Sequence, residues 1–542
     1  MKRLTESLWP VVLVILVCGF GCGKVSWDAA RPGAKSAYSD AVAARSMAPT
    51  AGIEERPDDG EGPGQGGDKY DLIVDNPFLS VARNPLSTFS IDVDTASFSK
   101  VRMYLLQQHR LPPRDAVRIE ELVNYFPYHY VPPTDARPFA ARVEVASCPW
   151  HPGHRLVRVG IKGKDIDQKK RPLSNLVFLL DVSGSMNQPN KLPLLKRSMK
   201  LLVDQLGEND RVAIVVYAGA AGLVLPATSG DDKQVILDGI ERLQAGGSTN
   251  GGQGIQLAYQ VARDHLIPGG TNRVILCTDG DFNVGTTSPG ELIRVVRQNA
   301  RQNVFLTVLA FGMGNHNDAM LEQISNKGNG NYAFIDNVQE ARKTLVEQMS
   351  GTLVTIAKDV KIQVEFNPAE VAAYRLIGYE NRRLAAEDFN DDRKDAGEIG
   401  AGHTVTAFYE VTPTGTESDG TTTSVDPLKY QQGPRLSNAS RGGELMTLKL
   451  RYKQPENNTS ELLTFAIKDA GSDFQAASTD FRFAASVAAF GMLLRDSPFK
   501  GDATYDSVLR IAGESVGDDP SGYRRELVEM VNRARSLAEQ PR

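Results

Sequence analysis

Cysteine is scarce: the 542 residues hold only four, Cys18, Cys22, Cys148 and Cys277. So few and so scattered thiols exclude a disulfide-stapled scaffold and a four-thiolate zinc site, and a metal in this chain has to be held by oxygen. An excess of one charge is also missing, since 61 basic and 66 acidic residues leave a net charge of -5. That supplies no electrostatic footprint for a phosphate backbone and argues against nucleic acid as a partner. A long hydrophobic run is lacking too: the apolar stretch at 8–17 falls short of the ~20 residues of a membrane-spanning helix. No Gly-x-Ser-x-Gly elbow, Walker loop or His-Glu-x-x-His helix occurs, so those hydrolase, nucleotide and zincin chemistries have no signature here. With hydrophobic residues at 41%, the chain can nevertheless bury two or three cores.

Lys2 and Arg3 precede that short apolar run, and small residues with two cysteines follow, which is the layout of an export signal. Gly19-Phe20-Gly21-Cys22 resembles a bacterial lipobox, in which the cysteine is lipidated and becomes the mature N-terminus. Residues 1–21 are therefore expected to be a signal peptide and Cys22 the lipidation site, with ordinary cleavage near Gly21 or a retained anchor as the alternatives. Residues 22–69, rich in Gly, Pro and Asp around 56–67, read as a tether. The expected localisation is the cell envelope, with a membrane reached through the lipid anchor.

Folding signals begin near Tyr70. A helical pattern over 97–108 and a second over 114–125 lie in a distinct N-terminal region, 70–135, while alternation at 140–147 and 155–162 predicts an antiparallel pair within 136–174. Between 175 and 351 continuous apolar runs at 176–180, 212–216, 274–277 and 304–309 alternate with helical stretches. That is the pattern of a doubly wound parallel α/β sheet. Alternating strands return at 360–366, 405–411, 445–452 and 462–467, so the flanks at 136–174 and 352–470 are expected to form one β-sandwich into which the α/β domain is inserted. Four-three-four spacing of apolar residues predicts a helical segment over 471–542.

Directly after the first apolar run comes Asp181-Val182-Ser183-Gly184-Ser185. Gly246-Gly247-Ser248-Thr249-Asn250 precedes a helix, and Thr278-Asp279-Gly280 ends the third run. In an open α/β sheet such loops gather at the carboxyl ends of the strands. They bring an all-oxygen set, suited to a hard cation rather than zinc or copper. Asp-x-Ser-x-Ser alone could be a helix cap. Together with Thr249 and Asp279 it resembles the metal-ion-dependent adhesion site of von Willebrand factor type A domains. The resemblance implies a Rossmann-like type A fold and Mg2+, with Mn2+ or Ca2+ as alternatives, at Asp181, Ser183, Ser185, Thr249 and Asp279. It also implies a partner protein whose Asp or Glu completes the cation's shell. Ile91 to Ser97, Val117 to Phe126 and the segment after Ala357 extend the likeness to bacterial exported type A domain lipoproteins.

Other clusters read more plainly. Asp92-Val93-Asp94-Thr95 is expected to cap a helix rather than act as a phosphotransferase nucleophile loop. Asp279-Gly280-Asp281 fails as a calcium loop, because Val284 and Gly290 replace its glycine and glutamate. Cys148, His151 and His154 are expected in a surface turn, and Cys277 as a buried small hydrophobe. No base or nucleophile is recognisable beside the metal loops, since His265 and His316 carry no motif. Binding is therefore the expected function, with an Mg-dependent enzyme or a metal-stapled scaffold as the rival readings.

Overall fold

The computed structural model describes residues 68–91, 93–167, 171–280, 288–314, 316–348, 351, 353–416 and 436–540. The expected signal, Cys22 and most of the tether lie outside the described residues, as does most of the polar segment between 417 and 442.

Strands β1 (Leu79–Ser80), β2 (Leu86–Ser90), β3 (Phe139–Ser147) and β4 (Arg155–Gly163) precede the α/β unit. Helices α1 (Ala96–Arg102), widened in its last turn over Met103–Gln107, and α2 (Ile119–Asn124) lie between β2 and β3. The α/β unit then runs β5 (Ser174–Asp181), α3 (Leu192–Val203), β6 (Asp210–Tyr217), β7 (Ala221–Ser229), α4 (Lys233–Glu241) and α5 (Gly251–Asp264). It continues with β8 (Thr271–Thr278), α6 (Pro289–Ala300), β9 (Phe305–Phe311), α7 (Asp318–Lys327), β10 (Tyr332–Ile335) and α8 (Val338–Arg342).

Its sheet has the order β10-β9-β8-β5-β6-β7 and is parallel except at β7. Every residue of β5 is buried, as a strand covered on both faces requires. Leu176, Phe178 and Leu180 face a core shared with Leu195 and Met199 of α3 and Ile236 of α4. Val177 and Leu179 face the opposite core with Ile255 of α5, Leu292 of α6 and Leu321 of α7. This two-sided covering is the doubly wound arrangement expected.

After the unit come β11 (Thr355–Phe366), β12 (Val371–Ile377), β13 (Gly397–Gly400), β14 (Thr404–Pro413), β15 (Met446–Lys453) and β16 (Ser460–Ile467). One antiparallel sheet has the order β1-β12-β14-β4-β3, so β4, before the α/β unit, pairs directly with β14, after it. In the second sheet β11 carries β15 and then β16 along one side and β13 and β2 along the other. Val157, Val159 and Tyr409 of the first sheet pack on Ile362, Val364 and Leu448 of the second, forming a sandwich core. The N-terminal region is less separate than its sequence implied. β1 and β2 belong to the sandwich, because the alternating residues of β2 find their backbone partners on β11.

The terminal helical segments also merge. Helices Thr479–Arg495, Tyr505–Glu514 and Tyr523–Ala538 share one core with α1 and α2. In it Phe98 stacks on Tyr125 at 3.6 Å and Phe126 meets Phe483 edge-on at 4.9 Å. The turn through Cys148 and His154 packs into this core at its two ends, which corrects its reading as a surface turn there: Cys148, Trp150 and His154 are buried, while His151 is half-buried and Pro152 and Gly153 at the tip are exposed. The bulky indole drives the turn inward, and buried Glu410 anchors it. Trp150 Nε1 and Arg375 donate to Glu410 Oε2 at 3.0 and 2.8 Å, and His154 Nδ1 lies 2.7 Å from Oε1. Burial pushes the Glu410 carboxyl up, but these groups hold it below its ordinary value. Cys277 is buried as expected, and both Cys148 and Cys277 are free thiols.

His403, just before β14, has Nδ1 sealed from water with no hydrogen-bond partner among the described residues. Burial, reinforced by the Lys162 and Arg273 charges, lowers its pKa from 6.5 to about 4. Between those values the unfolded chain binds this proton and the folded chain does not, so stability rises with pH across the window and falls on acidification. Urea midpoints at several pH values should show that loss, and His403→Gln should flatten it.

Candidate functional site

Three loops meet at the carboxyl edge of the sheet. β5 ends at Asp181, which is wholly buried and lies in register with Tyr217 at the end of β6. The chain then tightens into a short turn over Gly184–Asn187. Ser183 N–H donates to Asp181 Oδ1 at 2.8 Å, and the Ser183 and Ser185 hydroxyls lie 3.0 Å apart. The loop before α5 is tied to this turn through the backbone: Gly184 N–H donates to Gly247 O at 3.0 Å and Gly246 N–H to Val182 O at 2.8 Å. Thr249 stands half-buried two residues beyond Gly247. Asp279 follows β8, the direct neighbour of β5, and is buried close enough to Asp181 for the two charges to repel.

The electrostatics of Asp181 are unusual for a carboxylate. Burial raises its pKa to about 6; bonds from Ser183 pull it back, the Asp279 charge adds to the rise, and the Tyr217 hydroxyl opposes it. Among the described residues its second oxygen, Oδ2, is sealed from water without a hydrogen bond of normal geometry. An ionised carboxylate there has only part of its compensation, from the Ser183 bonds and the Tyr217 hydroxyl, and lacks the rest. A divalent cation between the loops would supply it, and hydroxyls with few carboxylates are donors that suit a hard cation. Among the described residues no group of three or more His, Cys, Asp or Glu is placed to hold a metal. A cation here therefore depends on serine and threonine oxygens.

Two neighbours of the site escaped the sequence reading. Lys191, whose carbonyl accepts the first turn of α3 from Leu195 at 2.8 Å, sends its ammonium to Asp279 Oδ2 at 2.8 Å. Nothing in Asn190-Lys191-Leu192 marks that lysine, because the contact is made across 88 residues of sequence. Tyr217 could have been found by aligning the ends of the two parallel strands, which set it beside Asp181. His265 is exposed, away from any such role. His316 is fully buried, with Nδ1 at 3.4 Å from Asp279 O and Nε2 at 2.6 Å from the Tyr332 hydroxyl. It packs so closely on Gly280 (φ +95°) that a Cβ there would come within 2.2 Å of Nδ1. Asp68, at the start of the described chain, accepts the N–H groups of Gly314 and His316 at 3.1 Å each, which ties it to this loop.

Comparison with known proteins places these features in a family. The von Willebrand factor type A domain signature matches residues 175–348, a von Willebrand factor signature matches 65–158, and that of the C-terminal region of uncharacterized protein YfbK matches 351–537. Uncharacterized protein YfbK of Escherichia coli is 44% identical over 473 residues, covering 86% of this chain and 81% of the relative. Uncharacterized protein sll0103 of Synechocystis is 32% identical over 212 residues, 38% of this chain and 48% of the relative. Among solved structures, a von Willebrand factor type A protein from Catenulispora acidiphila aligns with 73% of this chain and 89% of its own, at 16% identity and a TM-score of 0.41. With a Rossmann-like α/β unit between the strands of a sandwich and near-full-length likeness to YfbK, the chain belongs to the YfbK family of von Willebrand factor type A domain proteins.

Proposed function

We propose that the protein is an envelope-anchored binding module that captures an acidic residue of a partner protein through Mg2+ held at Asp181, Ser183, Ser185, Thr249 and Asp279. A type A domain is a protein-interaction or adhesion module, and such domains commonly bind a divalent metal. The observation that carries the reading here is the buried Asp181 carboxyl, raised by burial and by the Asp279 charge, at the head of a loop whose Ser183 and Ser185 hydroxyls lie 3.0 Å apart. A bound cation would supply a Lewis-acidic centre there, and the hydroxyl ligands would neutralise none of its formal charge. Asp181 and the two serines would hold the ion, and the Ser183 N–H fixes the Asp181 carboxylate in place. The anchor is proposed to be a lipid on Cys22, with residues 22–69 as the tether.

A crosslinking pull-down from envelope extracts, in Mg2+ and again with chelator, tests this reading. Capture should require the metal and should drop about ten-fold with Thr249→Ala, the loss of one neutral ligand. Capture that survives chelation contradicts it.

A further inference from the structure

The Lys191 ammonium lies inside the site described above, paired with one of its two carboxylates. Both partners are buried, Lys191 at 6% and Asp279 at 3% exposure. The lysine is held there by more than charge. Its backbone N–H donates to Gln188 O at 3.0 Å, and its carbonyl starts the α3 ladder. The aliphatic stem runs over Gly312 (φ +68°), where a Cβ would fall 2.5 Å from Lys191 Cε. The Gly312 backbone is left bare where the stem crosses it, so the ammonium is delivered to Asp279 along a fixed path.

We infer that Lys191 is a positioning residue that sets the charge of the cation site, holding Asp279 in place before a metal arrives and lowering the site's affinity for the metal. This inference rests on the proposed metal reading. Without metal, the ammonium offsets the repulsion between Asp279 and Asp181, so the loops can stay assembled around two buried acids. With a divalent cation present, two carboxylates alone would bring the formal charge of the site to zero. Lys191 keeps it one unit positive, and a partner carboxylate is drawn to that residual charge. The lysine thus opposes metal binding and favours partner binding, a trade that a purely structural salt bridge would not produce.

The test is Mg2+ titration of the full chain by calorimetry, together with melting curves with and without Mg2+. Lys191→Met keeps the unbranched stem over Gly312 and removes the charge; Lys191→Gln repeats the neutralisation with a shorter polar chain. Both variants should bind Mg2+ about ten-fold more tightly than the natural chain. Both should melt lower without Mg2+ and gain more from its addition. Binding to the natural chain with unchanged or weaker binding to folded variants overturns the role of Lys191 and leaves the metal reading standing. Absence of Mg2+ binding to all three proteins overturns both. Should one variant fail to fold, the other decides by the same comparison.

Discussion

Asp181→Asn should separate function from stability in opposite directions. In the natural chain this carboxylate is wholly buried, one oxygen lacks a hydrogen bond of normal geometry among the described residues, and Asp279 repels it. An amide keeps an oxygen to accept the Ser183 N–H bond and carries no charge to desolvate. Without metal the variant should therefore be more stable, by about 1–3 kcal/mol, the scale on which an uncompensated buried charge destabilises a fold. Mg2+ affinity should fall by about 100-fold or more, because the ion loses one of the two fixed negative charges in the site. Denaturant curves without metal and calorimetry with it measure the two halves. A variant that is both less stable and still able to bind Mg2+ would contradict the description of Asp181 as a charge held in waiting for a cation.

A larger loss of stability is expected at Arg102. This guanidinium, at the end of α1, joins three parts of the chain. Nε donates to Asp336 Oδ2 at 2.9 Å, after β10; another nitrogen reaches Glu340 of α8 at 2.8 Å; a third reaches Glu526 of the last helix at 3.0 Å. Asp336 and Glu340 are buried. Burial raises the Glu340 carboxyl, yet Arg102 and Lys343 hold it below its ordinary value, so it stays ionised in the fold. Arg102→Met fills much of the same volume, removes the guanidinium paired with Asp336 and leaves Lys343 as the remaining cation beside Glu340. The expected cost is about 3–5 kcal/mol, as for removing one partner of a buried ion pair. Urea unfolding followed by tryptophan fluorescence should show the loss. Because Arg102 ties α1 to both the α/β unit and the C-terminal helix, the variant should also lose cooperativity. A change below 1 kcal/mol would mean that this junction is wetter than described.

Neighbouring ion pairs make the same junction. Lys100 of α1 pairs with Asp318 of α7, and Arg118 pairs with Glu322 of α7. Burial pushes the Asp318 carboxyl up, but the Lys100 and Arg118 cations hold it well below the carboxylate range. Tyr332 donates to Asp318 Oδ1 at 2.7 Å and contacts His316, which in turn touches Asp279. The helices before the α/β unit are thus joined by contiguous polar contacts to the loop beside the candidate site.

The α/β core was legible because buried parallel strands are written as continuous apolar runs, as in Leu176 to Leu180. The edge strand β7 was not. Gly222 and Pro226 interrupt it, and a proline is tolerated there only because β7 has an unpaired side and a register shift near Leu225. β12 was missed for another reason. Arg375 turns inward to Glu410, which breaks the alternation that marks a half-buried strand. At the candidate site, Asp181, Ser183, Ser185, Thr249 and Asp279 were nominated because loop position and side-chain chemistry agree. Lys191 was not, since a lysine near a helix start reads as solvated until the fold places Asp279 within reach. The turn at Cys148 was misread because its Pro and Gly residues signal a surface, while Trp150 and the distant Glu410 decide its burial.

The most direct test of the account is a calorimetric titration of Mg2+ into the full chain beside Asp181→Asn. One ion should bind per chain in the natural protein, and that binding should be lost in the folded variant. No binding to the natural chain, or equal binding to both, would contradict it.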